Sequence, residues 1–103
     1  HIPCLRHNEI TAKTVSKVAL CGGNGSEFIG QALRQGADLF LTADLKYHHF
    51  QEGDGRMMIV DGGHYETEVQ VLDVFYELIS KKIPNFAVRR AQTPSNPVRY
   101  YLA

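Results

Sequence analysis

The chain has 103 residues, 44% hydrophobic and 21% charged, as expected of one folded domain with a working core. Lys and Arg total 11 against 11 Asp and Glu, so nothing in the net charge predicts bulk attraction to nucleic acid or an anionic membrane. There is no apolar run long enough to span a bilayer and no visible signal peptide, so a cytoplasmic setting is the expectation.

The first twelve residues carry little pattern beyond a short strand reading around Pro3 to Arg6. Lys17 to Cys21 reads as a strand ended by Gly22-Gly23-Asn24-Gly25. Two cysteines, Cys4 and Cys21, make no disulfide framework. Cys21 reads as a small buried residue rather than a reactive thiol. A helix is predicted from Ser26 to Gln35, with Phe28, Ile29, Ala32 and Leu33 on one face, Ser26 as cap and Gly36 as stop. A second strand spans Asp38 to Thr42, followed by a short helix from Asp44 to Gln51 that ends at Gly53 and Gly55. A third strand spans Met57 to Val60.

The longest helical pattern runs from His64 to Lys82. Its apolar stripe is Leu72, Phe75/Tyr76, Ile79 and Ile83. Lys81 and Lys82 suit its C-terminal dipole, and Pro84 lies just past its end. A fourth strand is read at Phe86 to Ala91. Thr93-Pro94-Ser95-Asn96-Pro97 must be extended, and Val98 to Ala103 reads as an edge strand. Strands alternating with helices through short links predict an α/β fold, a mostly parallel sheet with helices packed on it, in one domain over residues 1–103.

In such a sheet ligands gather at the carboxyl ends of the strands. The three links there are Gly22 to Ser26, Thr42-Ala43-Asp44 leading to Lys46-Tyr47-His48-His49, and Asp61-Gly62-Gly63-His64. His64 and Glu68 are i,i+4 and share a helix face, where an imidazole and a carboxylate can hold a divalent metal. The same pair also reads as a solvated helix start. On that helix the buried stripe, extended backwards, reaches both residues. Asp44 and His48 are likewise i,i+4 and can face the same rim, or form an exposed polar helix. His48 and His49 point about 100° apart on a helix, so they do not suit one shared metal. The glycine-rich link reads either as a phosphate cradle on backbone N–H groups or as a tight turn needing positive φ. Arg89, Arg90 and Arg99 read as surface charge or as contacts to an anion.

The segments Val18-Ala19-Leu20-Cys21-Gly22-Gly23-Asn24-Gly25-Ser26, Gly36-Ala37-Asp38, Thr42-Ala43-Asp44-Leu45-Lys46-Tyr47-His48 and Asp61-Gly62-Gly63-His64-Tyr65-Glu66-Thr67-Glu68 occur in that order. Together they resemble the NIF-three-like family, often labelled GTP cyclohydrolase 1 type 2 homologues. The resemblance covers about residues 15 to 70, and Asn96-Pro97-Val98-Arg99-Tyr100 is similar to that family's C-terminus. Ala43 stands where the family usually has Gly.

The resemblance implies a dinuclear metal site with His64 and Glu68 as two of the ligands. The remaining ligands, an adjacent His-His pair and an Asp, would come from an N-terminal half that His48-His49 does not supply. It implies that this chain is the C-terminal part of a longer protein, consistent with a start at His1 rather than Met. It further implies two divalent ions (zinc, iron or manganese) in the full-length protein, with none held tightly by this piece alone. The implied activity is metal-dependent hydrolysis of a nucleotide-like or phosphorylated small molecule, with Asp44 and His48 orienting groups or carrying protons. The implied assembly is a homo-oligomeric, hexameric ring; no membrane partner is implied. Two other functions fit the residues: a phosphate- or nucleotide-binding module using Gly22 to Ser26, and an assembly module without catalysis of its own.

Overall fold

The computed structural model describes residues 2–9 and 14–103; His1 and residues 10–13 lie outside the described residues, so that part of the weakly patterned start is not described. Strands β1 (Arg6–His7), β2 (Val18–Asn24), β3 (Leu39–Ala43) and β4 (Met58–Asp61) form one sheet in the order β1-β4-β3-β2. β2, β3 and β4 are parallel, with Val18 beside Leu39 and Leu39 beside Met58, while β1 runs antiparallel to β4. Helix α1 (Ile29–Arg34) links β2 to β3, and a 3₁₀ segment, Tyr47–Gly53, links β3 to β4. Helices α2 (His64–Glu68) and α3 (Val71–Lys82) follow β4. The α/β fold with a mostly parallel sheet is therefore the one that forms, and the carboxyl ends of three strands share one rim.

The core forms because the apolar runs and the face of α1 meet on one side of the sheet. Ile29, Ala32, Ala37, Phe40, Leu45, Met57 and Ile59 make one buried cluster, with Cys21 partly buried against it. α1 stops at Gly36, whose φ is +71°. Its N–H donates to Leu33 O at 3.0 Å and that of Ala37 to Ala32 O at 3.1 Å, which closes the helix end in a left-handed cap. β2 is irregular between Leu20 and Asn24. There Gly22 passes so close to α2 that an added Cβ would lie 3.1 Å from Thr67 O.

Asp61, at the end of β4, is 5% exposed. Its Oδ2 accepts the Leu45 N–H at 3.0 Å and pairs with the Arg6 guanidinium, and its Oδ1 accepts the Gly63 N–H at 3.0 Å. Arg6 also donates to Leu45 O at 2.9 Å and lies over the Phe50 ring. One carboxylate thus joins β1, the turn after β3 and the start of α2. Burying it is tolerable because each of its oxygens has partners.

Several sequence expectations are corrected. The helix expected from Ser26 to Gln35 begins as a 3₁₀ turn, Ser26–Phe28, and Ser26 is not its cap. Asn24 Oδ1 accepts the Ser26 N–H at 3.1 Å instead. The helix expected from Asp44 to Gln51 does not include Asp44, whose φ is +56°, so the shared helix face of Asp44 and His48 does not form. The helix expected from His64 to Lys82 breaks at Val69 and Gln70. There Leu72 N reaches Val69 O at 3.2 Å and Asp73 N reaches Gln70 O at 3.1 Å, a tightening to three-residue spacing. The strand near Pro3 to Arg6 appears one step later, at Arg6–His7.

Phe86 to Ala91 and Val98 to Ala103 form no strand. That segment runs beside α3, where Val88 and Thr93 line a cleft with Phe75 and Ile79, and the Arg90–Asp73 ion pair joins the two. It has no strand partner there, and an isolated extended segment gains nothing from a ladder. The stripe of α3 is also uncovered: Leu72 is 46%, Phe75 53% and Ile79 40% exposed. His64 and Glu68 therefore do not prolong a buried face; both are half exposed. No helix among the described residues is long and apolar enough to cross a membrane.

Replacing Asp61 with Ala orphans the Leu45 and Gly63 N–H groups together. The expected loss is about 2–4 kcal/mol in urea denaturation, with Asp61→Asn recovering part of it through its remaining acceptor oxygen.

Candidate metal centre

The rim of the sheet is built by threonines and glycines before any charged group enters it. Thr42, fully buried on β3, donates to Gly23 O at 2.9 Å and accepts the Gly25 N–H at 2.8 Å. Thr67, on α2, accepts the Gly23 N–H at 2.9 Å and donates to Gly63 O at 2.9 Å. The glycine-rich link is thereby fastened to β3 on one side and α2 on the other. Its Gly23, Gly25 and Ser26 N–H groups, which a phosphate would need, already have acceptors inside the protein. The tight-turn reading holds for Gly23, whose φ is +64°.

Gly63 sits before α2 with φ +86°, turning the chain from Asp61 into the helix so that His64 is its first residue. Asp44 adopts the left-handed region, which Asp tolerates better than most residues. The two turns bring Asp44 Oδ2 to 2.6 Å from His64 Nδ1. A carboxylate oxygen only accepts, so Nδ1 is the donor. On the far side of the ring, His64 Nε2 lies 3.1 Å from Glu68 Oε2. The order is carboxylate, imidazole, carboxylate, with the ring held between two residues of the same rim. The Asp44 hydrogen bond raises the His64 pKa above its ordinary value, and the charges of Asp44 and Glu68 add to it.

Gly23 completes the arrangement by lacking a side chain. A Cβ there would overlap Glu68 Oε1 and come within 3.3 Å of His64 Cε1. The space between imidazole and carboxylate thus depends on a glycine from a strand 40-odd residues earlier in the chain, a spacing read directly from the numbering.

Of the residues singled out in the sequence, Asp44, His64 and Glu68 come together. His48 does not join them: its ring packs edge-on against His49 with centroids 4.3 Å apart. Nor is His49 directed there, because its Nδ1 accepts the Lys46 N–H at 3.0 Å. Arg90 is paired with Asp73, and Arg99 donates to Asn96 O and Val98 O. Asp61, Thr42, Thr67 and Gly23 shape the site but were visible in the sequence only as members of its motifs. Among the described residues no group of three or more His, Cys, Asp or Glu is placed to hold a metal ion. His64 Nε2 and Glu68 are a fitting pair of donors for a divalent ion, with Asp44 orienting the ring from behind.

Comparison with known proteins agrees with the family resemblance. A relative from Nostoc sp. named GTP cyclohydrolase 1 type 2 homolog is 42% identical over 64 residues, covering 61% of this chain and 24% of its own. One of the same name from Campylobacter jejuni is 29% identical over 103 residues, covering 98% of this chain and 40% of its own. The chain thus spans between a quarter and two fifths of the length of these relatives. Among solved structures, a Staphylococcus aureus protein matches 97% of this chain and 30% of its own, with a TM-score of 0.79 at 25% identity. A Bacillus cereus protein described as related to NIF3 matches 97% and 29%, with a TM-score of 0.75 at 28% identity. A family model described as Duf34/NIF3 (NGG1p interacting factor 3) matches residues 1–97. With that model matching nearly the whole sequence and the same fold in solved relatives, the chain belongs to the Duf34/NIF3 family.

Proposed function

We propose that this chain carries part of a dinuclear metal centre in a metal-dependent hydrolase, with His64 and Glu68 as ligands and a nucleotide-like or phosphorylated small molecule as substrate. The observation that carries this reading is the Asp44–His64–Glu68 line, together with the glycine that leaves room beside it. Asp44 holds the proton on Nδ1, which fixes the tautomer and turns the Nε2 lone pair toward Glu68. Glu68 offers the second donor from the next turn of the same helix. His64 and Glu68 would hold a divalent ion that, when bound, would supply positive charge to a substrate oxygen and make water more acidic. Asp44, set behind the ring, is placed to buffer changes in the charge on His64 during turnover.

The name borne by the relatives, GTP cyclohydrolase 1 type 2 homolog, supports the nucleotide-like class of substrate. Zinc, iron and manganese all suit a set of imidazole and carboxylate donors. The remaining ligands belong to the longer protein, so the chain by itself is expected to hold no metal tightly. His48 is assigned a proton-carrying role only in the complete site, since here it has no link to Asp44. The uncovered stripe of α3 supports the expected homo-oligomer, a hexameric ring in the full-length protein. Because its backbone donors are engaged, the Gly22 to Ser26 link is the weaker candidate for holding phosphate.

In the full-length protein, replacing both His64 and Glu68 with Ala is expected to remove most bound metal, as read by elemental analysis of the purified protein. Unchanged metal content in that double variant would sink the assignment.

Metal and proton compete for Nε2. A raised His64 pKa means the imidazolium persists to higher pH, so metal loading should rise with pH, with a midpoint set by loss of that proton at the metal concentration used. Replacing Asp44 with Ala removes the main cause of the shift, so the midpoint should move to lower pH. At high pH, where competition is over, the same change should weaken metal affinity by about 10- to 100-fold through loss of orientation. Metal titrations across pH 5 to 9 check both effects.

A further inference from the structure

Residues 86–103 form no regular structure, yet the segment from Asn96 to Tyr100 is held at one point. That point is Glu66, in the first turn of α2, two residues from His64. Its Oε1 accepts from Asn96 Nδ2 at 3.0 Å and from Tyr100 Oη at 3.1 Å. The segment is folded to present both donors together: Asn96 Oδ1 accepts the Val98 N–H at 3.0 Å, and Arg99 donates to Asn96 O at 2.7 Å and Val98 O at 2.9 Å. Gly63 leaves room for the contact, since a Cβ there would stand 2.9 Å from the Tyr100 hydroxyl. Loss of hydration, and then the hydrogen bond to Glu66, hold the Tyr100 pKa above its ordinary value.

The latched segment stands between two cavities that both border His64. One, of about 300 Å³, is lined by Cys4, Arg6, Asp44, His64, Val98 and Tyr100. The other, of about 440 Å³, is lined by His64, Glu68, Leu72, Pro97 and Val98. Val98 borders both. Without the two bonds to Glu66, nothing regular in the backbone would keep this wall beside the imidazole.

We propose that Glu66 is a positioning residue: it latches Asn96–Tyr100 onto α2, and the latched segment walls the cavities beside His64 and sets access to that site. The latch itself stands on geometry alone; only its consequence for metal exchange rests on the metal reading above.

The test compares the parent protein with Glu66→Ala, Glu66→Gln and Tyr100→Phe, all at full length. Glu66→Gln keeps an acceptor oxygen, so it controls for loss of the side chain. Trypsin cleavage after Arg99 reads release of the segment, because proteolysis follows the population of the open form. It should rise about tenfold in Glu66→Ala, several-fold in Tyr100→Phe and less than about twofold in Glu66→Gln. Alkylation of Cys4, followed by peptide mass mapping to separate it from Cys21, reads opening of the cavity without any metal. It should rise in the same order. Zinc release into a chromogenic chelator should accelerate in Glu66→Ala and stay near the parent rate in Glu66→Gln.

Cleavage and alkylation equal to the parent in Glu66→Ala would overturn the latch. Faster cleavage with unchanged Cys4 alkylation would overturn the wall. A parent protein that binds no zinc, iron or manganese would count against the metal reading, while the first two rates would still decide the latch.

Discussion

The arrangement around His64 depends on the buried carboxylate of Asp61. It lies at the end of the central apolar strand β4, where the sheet meets the rim, and its two oxygens act in different directions. One fixes the backbone just after Asp44, and the other fixes the backbone just before His64. The 2.6 Å contact between those two side chains is therefore set by a third residue that touches neither. The Arg6 guanidinium completes the arrangement and brings the short antiparallel strand to the sheet edge. A partly exposed arginine is well suited to this, since its free donors stay hydrated while one nitrogen serves the buried acid.

Around that carboxylate the rim is a lattice of small polar groups. Thr42 and Thr67 each serve as donor and acceptor at once, so the glycine-rich link, β3 and α2 are joined without long side chains. Short side chains lose little rotamer freedom when fixed, which makes them economical supports for a site that must be held in place. The same bonds explain why a loop with the composition of a phosphate cradle is not presented as one. Its donors face inward, and its glycines serve close approach to α2 and to Glu68.

α3 and the segment after it have a different character. The apolar spacing of α3 is that of a packed helix, yet its stripe lies open among the described residues. A helix of this pattern is stable chiefly when its apolar face is covered. Of the two helices after β4, only α2, nearest the rim, is tied closely to the sheet. The break at Val69 and Gln70 marks the change from the tied turn to the open one.

By itself the sequence determined the positions of the three parallel strands, the α/β class, the stop at Gly36 and the pairing of His64 with Glu68. These rest on local rules: the apolar runs, glycine's left-handed freedom and the four-residue spacing of a helix. The family was legible for the same reason, since its motifs are short and occur in order. What only the tertiary structure decided is which groups meet across the rim. Asp44 reaches His64 because it leaves the helical region, and no periodicity announces a single residue at positive φ. Asp61 and Gly23 matter through contacts with residues far away along the chain, Asp61 with Arg6 and Leu45, Gly23 with Glu68. The tail read as strands because its residues favour extended backbone, but a strand needs a partner, and the neighbour that the fold supplies is a helix.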